Sequence, residues 1–170
     1  MKIELEGLRF DFPYAIDVFK FDDEDKTSPR YHGATHAMKA VDLIVEFEKR
    51  YIFIEIKMPR NKTDYDPYPK CPHCGHREEP LRTLRTDLIK KSRDSWLYRY
   101  CEEKVDKPCY YICIINLDSA LTVDISTFLS KALPIKKPSR WKRHFFEKAV
   151  AVNPTGWNHS LRHIGTCDII

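Results

Sequence analysis

Two acids and a lysine are the residues whose types and spacing could do chemistry: Asp42, Glu55 and Lys57. Glu55 and Lys57 lie in the apolar run Tyr51 to Met58, where strand alternation puts both on one side and Ile52, Ile54, Ile56 and Met58 on the other. Their Cα atoms should then be roughly 6.5 to 7 Å apart, close enough to address one phosphate group. Asp42 is the first charge in the apolar opening Ala40-Val41-Asp42-Leu43-Ile44-Val45, where a carboxylate costs burial energy unless something binds it. The two carboxylates and the Ile56 backbone carbonyl offer the hard oxygen donors that Mg²⁺ or Mn²⁺ prefers. A metal held there would neutralise charge on a phosphate and lower the pKa of a bound water. Lys57 could orient or deprotonate that water and stabilise the phosphorane.

The elements that must position these residues are legible in outline. Ala40 to Phe47 and Tyr51 to Met58 read as a hairpin turning at Glu48-Lys49-Arg50. Pairing Phe47 with Tyr51 places Asp42 opposite Ile56, between Glu55 and Lys57, although a one-residue slip would alter which side chains face each other. Leu81, Leu84, Leu88, Trp96 and Tyr100 recur at helical spacing and predict a long amphipathic helix ending near Glu103. Cys109 to Leu117 reads as a buried strand, Ile125 to Leu133 as a helix and Ala149 to Asn153 as a strand. In the first 39 residues, Phe12, Ile16 and Phe19 favour a short helix, although Ile16 and Val18 also suit a strand. A hairpin followed by alternating helix and strand means α/β.

Asp42 followed by Glu55-Ile56-Lys57 on a hydrophobic strand resembles the signature of the PD-(D/E)XK, restriction-endonuclease-like nucleases, with Val41 where the motif's name has proline. The resemblance covers about Ala40 to Leu117. It implies a mixed central sheet flanked by helices, Mg²⁺-dependent phosphodiester hydrolysis, and Asp42, Glu55 and Lys57 as the catalytic centre. It also makes DNA the expected substrate, with RNA left open. The helix after the E-x-K strand often contributes a polar residue in this superfamily, so Lys90, Lys91 and Arg93 are candidates for contacting a nucleic-acid backbone. The competing reading is a non-catalytic nucleic-acid-binding or assembly module that keeps the fold.

The chain's 170 residues suit one domain, read as residues 1–170 with an inserted loop at 60–80. That insertion carries Cys71-Pro72-His73-Cys74-Gly75-His76, which resembles half a zinc knuckle; Cys71, Cys74 and His76 are its candidate Zn²⁺ ligands. His159, His163 and Cys167 suit the remaining ligand on spacing, and His32 and His36 precede the motif hairpin closely enough to approach its site. The net charge is +4, but residues 1 to 25 are acidic, so the remainder is clearly basic. Beyond the helix, Arg140, Lys142 and Arg143 form a second basic cluster that could attract phosphates. With no recognition module visible, specificity is expected to come from a homodimer mate or a partner protein. No apolar run is long enough for a membrane span and no secretory signal is visible, so the expected location is cytoplasmic, with reduced cysteines.

Overall fold

Alternation along Arg50–Lys57 (β5) decides the architecture, because both faces of this strand are buried. Tyr51 and Phe53 join one apolar cluster with Leu84, Leu88, Ile125 and Leu129, while Ile52, Ile54 and Ile56 join a second with Leu8, Phe10 and Trp157. A strand covered on both sides reads as a continuous apolar run, which is why the sequence signal is strong here.

The structure is a computed structural model that describes residues 1–34, 37–58 and 81–170. Among these, Lys2–Leu5 (β1) and Leu8–Asp11 (β2) are followed by Asp17–Lys20 (β3), Leu43–Phe47 (β4) and β5. After β5 come Arg82–Cys101 (α1), Cys109–Ile115 (β6), Ser119–Ala132 (α2), Lys148–Val152 (β7), Pro154–Ser160 (α3) and Thr166–Ile169 (β8). The result is a mixed α/β fold with two sheets. A five-stranded sheet has the order β3-β4-β5-β6-β7, antiparallel from β3 to β5 and parallel from β5 to β7. β1, β2 and β8 form a smaller antiparallel sheet. α1 and α2 pack on one face of the large sheet, and the small sheet with α3 covers the other.

Two expectations require correction. The N-terminal region holds strands in place of the short helix: Leu8, Phe10 and Phe12 recur at period two and are fully buried, whereas Ile16 is 54% exposed. Glu6 and Gly7 have φ of 52° and 76°, which suits a two-residue turn joining β1 to β2. The β4–β5 hairpin is also tighter than expected, with Phe47 paired to Arg50 and only Glu48 and Lys49 between the strands. Every pairing therefore slips by one residue, and Leu43 lies opposite Ile54. Strand alternation alone cannot distinguish a two-residue from a three-residue turn.

Candidate active site

With that register, Asp42 falls just before β4, beside the carboxyl end of β5. Its Oδ2 accepts a hydrogen bond of 2.6 Å from the Ile56 N–H, and its own carbonyl accepts one of 2.9 Å from Phe21 N–H. The approach to Asp42 is fixed from α1. Val41 N–H donates to Ser95 Oγ at 2.8 Å and Lys39 N–H to Asp94 Oδ2 at 3.0 Å. Backbone donors left outside a ladder need such partners. Polar residues on the buried side of the helix therefore set the position of a carboxylate on the sheet.

Glu55 belongs to the helix-facing set of β5 side chains and is completely buried. Its Oε1 lies 2.7 Å from Lys57 Nζ and 2.8 Å from Lys91 Nζ, and Lys91 Nζ is also 3.3 Å from Asp42 Oδ1. Lys91 is thus a bridge between the two acids. Both contacts to Glu55 are ion pairs without hydrogen-bond alignment, and Glu55 Oε2 has no hydrogen-bond partner. An unsatisfied buried carboxylate oxygen is costly. Burial first, and then the neighbouring Asp42 charge, push the Glu55 carboxyl up to about 7, with Lys91 and Lys57 pulling against both. For Lys91, burial disfavours the ammonium, but Glu55 and Asp42 outweigh it and hold the amine above its ordinary value. Cys113 lies opposite Glu55 on β6; its thiol is buried and pushed upward, chiefly by desolvation.

Asp42, Glu55 and Lys57, singled out from the sequence, are therefore brought together. Of the helix cations, Lys90 and Arg93 are exposed, and Arg93 pairs with Asp94 at 2.9 Å. Lys91 is turned toward the two acids, its side chain 13% exposed and paired with Asp42 and Glu55. A stripe signal was present, since the buried positions of α1 pass from Leu84 and Leu88 to Ser92, Ser95 and Arg99. A helix whose inward stripe turns polar has polar partners to meet.

The other sequence candidates are dispersed. Arg140, Lys142 and Arg143 are exposed on the segment between α2 and β7. This segment enters β7 where Glu147 N–H bonds the Cys109 carbonyl, at the amino end of the parallel strands. That level is about 20 Å from Lys57 along the strand direction. Cys71, Cys74, His73, His76 and His36 lie outside the described residues. Cys167 is buried in β8 and His159 and His163 are exposed, and among the described residues no group of three His, Cys, Asp or Glu could hold a metal ion. His32 stacks on Phe21, with ring centroids 5.2 Å apart. Among the described residues no helix is long and apolar enough to cross a membrane. No family model, curated protein or solved structure matches the chain.

Proposed function

We propose that this chain is a metal-dependent nuclease with a restriction-endonuclease-like fold, hydrolysing phosphodiester bonds in DNA at Asp42, Glu55 and Lys57. The observation that carries the reading is Glu55, a fully buried carboxylate with one unpartnered oxygen beside a second carboxylate and two ammonium groups. A structural ion pair would satisfy its oxygens. The donor set fits Mg²⁺ or Mn²⁺, being two carboxylates and the adjoining Ile56 carbonyl with no thiolate or imidazole among them. When bound, the ion supplies a polarised phosphate and a water of lowered pKa.

The chain's own residues do the rest. Lys57 is the more accessible of the two lysines, its side chain 27% exposed against 13% for Lys91. It is therefore the ammonium that can donate to a phosphate oxygen or to the attacking water. Lys91 holds Asp42 and Glu55 close together and opposes the upward push that burial and the Asp42 charge exert on the Glu55 carboxyl. Asp42 is oriented by the Ile56 N–H, which directs one oxygen and leaves the other toward Lys91. The exposed Lys90 and the Arg140, Lys142 and Arg143 segment supply sequence-independent attraction for the phosphate backbone. For Cys71, Cys74 and His76 the proposal is a structural zinc ion, checked by elemental analysis of protein purified without added metal.

The test of the catalytic reading is incubation of the purified chain with plasmid, linear duplex, single-stranded DNA and RNA, with Mg²⁺, Mn²⁺ or chelator. Cleavage of DNA that needs the metal and disappears in Glu55→Gln is the expected result. Metal-independent cleavage, or full activity in Glu55→Gln, would overturn the assignment. Binding to DNA with no cleavage under any condition would favour the non-catalytic module.

A further inference from the structure

On the segment from α2 to β7, every residue from Lys136 to His144 is exposed, and the run is flanked by the buried Leu133 and Phe145. It carries the cations Lys136, Lys137, Arg140, Lys142 and Arg143 and no acid. Among the described residues none of these cations is in an ion pair, and the acid that follows the run, Glu147, pairs with His144 at 3.6 Å. Their charge therefore faces outward without a partner in the chain. A loop that serves solubility alone needs no aromatic, yet Trp141 stands amid these cations with 42% of its surface exposed.

The loop is tied to the second half of α1, where the Trp96 ring packs on Phe145 with centroids 5.1 Å apart. Trp96 also stacks on Tyr100 at 5.2 Å, the ring planes within 13° of parallel. Trp96 covers one face of the tyrosine, and Tyr100 is 48% exposed, so the stack ends in water. Trp141 is four residues before Phe145, which keeps their Cα atoms within about 14 Å. The acids nearest the stack lie beyond the end of α1: Glu102 pairs with Arg99 at 2.6 Å, and Glu103 marks the limit of the basic surface.

Open rings among unpaired cations match one partner chemistry, unstacked bases on a phosphate backbone. A duplex keeps its base faces inside and would use only the cations. A second copy of the chain docking through the same patch would set these cations against their equals. We propose that the 136–144 loop and the Trp96–Tyr100 stack form a surface for single-stranded nucleic acid, with bases on Trp141 and Tyr100 and phosphates on the cations. Its chemistry follows from the rings and the charges, whereas its place in a reaction rests on the nuclease reading. The loop enters β7 at the amino end of the parallel strands, about 20 Å from Lys57 along the strand direction, or roughly six stacked nucleotides. It therefore grips the strand away from the scissile bond.

The test is fluorescence anisotropy of a short labelled oligothymidylate, and of a duplex of the same length, bound to the full chain in the presence of chelator. The single strand should bind about tenfold more tightly than the duplex. Trp141→Ala and Tyr100→Ala should each weaken the single strand about tenfold and leave the duplex within about twofold, whereas Trp141→Phe, which keeps a ring, should retain most of the affinity. Exchanging Arg140 and Lys142 for Gln should weaken both nucleic acids and flatten their salt dependence. Both aromatic positions are on the surface and on different elements, so misfolding of one variant leaves the other informative. Equal affinity for the two nucleic acids, or an equal loss for both in Trp141→Ala, would overturn the proposal and leave only a phosphate-attracting face. Binding to vesicles of anionic lipid but not to the oligonucleotide would overturn it in favour of a membrane surface. Single-strand binding through Trp141 in a chain that cuts nothing would remove the nuclease reading and leave this surface standing. Metal-dependent cleavage by a chain whose Trp141→Ala variant binds the single strand unchanged would do the reverse.

Discussion

The β4–β5 hairpin carries an acid–lysine cluster at each end, and the two clusters are built differently. At the turn, Glu46 pairs with Lys107 at 2.5 Å, and Lys107 also donates to the Phe47 carbonyl at 3.1 Å. Both side chains are about one-fifth exposed, and each charge has one opposite partner. At the open end, Glu55 is fully buried, meets two ammonium groups through one oxygen and leaves the other without a partner. A pair serving stability should satisfy its polar atoms, since a half-satisfied buried network costs more than an apolar one. The open end violates that rule on the same hairpin whose turn end obeys it. Departures of this kind are expected where function competes with stability.

The difference predicts unequal mutants. Asp42→Asn, Glu55→Gln and Lys57→Met should each lower metal-dependent cleavage by about a thousandfold, the equivalent of roughly 4 kcal/mol of transition-state stabilisation. Their circular dichroism should remain native. Glu46→Gln should cleave like the parent chain, and a comparable loss there would erase the functional distinction between the two ends. Lys91→Met should act through Glu55. Without that ammonium the carboxyl titrates higher, so the rising limb of the pH–activity profile should move up by about one unit, cutting the rate near neutrality roughly tenfold. Lys90→Met, on the exposed side of the same turn, should leave the limb where it is.

A stability measurement sharpens the same contrast without any substrate. Glu55 titrates near 7 in the folded chain against an ordinary value of 4.5. Between those values the folded state holds the proton more tightly than the unfolded one. The corresponding stabilisation is complete below about pH 4.5 and is lost as pH rises through about 7, a decline of about 3 kcal/mol. Asp23 and Asp25, both held below 3.8 by hydrogen bonds from nearby residues, act in the opposite sense and only at lower pH. Denaturant midpoints of the native chain should therefore fall between about pH 5 and pH 8, while Glu55→Gln lacks that decline. A flat native profile across this window would mean that Lys57 and Lys91 keep Glu55 ionised throughout.

Much of this site was legible because β5 is buried on both faces, so a Glu and a Lys in an otherwise apolar run stood out. Period-two spacing then put them on one side whatever the turn length. The register was not legible, because the choice between a two-residue and a three-residue turn leaves no trace in the alternation. Lys91 was visible as a cation but not as a ligand of the carboxylates. Its direction depends on how α1 lies across β5, and that is set by contacts distant in sequence, such as Val41 with Ser95. The N-terminal strands were missed for a local reason. Phe12, Ile16 and Phe19 imitate helical spacing across a turn, while Leu8, Phe10 and Phe12 give the period that packing uses.

The smallest expected effect is at the turn end. A double-mutant cycle over Glu46→Gln and Lys107→Met isolates the coupling between two partly exposed charges, where solvent screening keeps an ion pair to about 1 kcal/mol or less. Losing Lys107 alone should cost somewhat more than losing Glu46 alone, because the lysine also satisfies the Phe47 carbonyl. Raising the salt concentration should shrink the coupling further, since both side chains reach water. The corresponding cycle over Glu55→Gln and Lys91→Met should depend far less on salt, because Glu55 is sealed from solvent. Equal salt sensitivity in the two cycles would show that water reaches Glu55. Its raised carboxyl would then lose its main cause, and the case for a strained, functional carboxylate at the open end would fail with it.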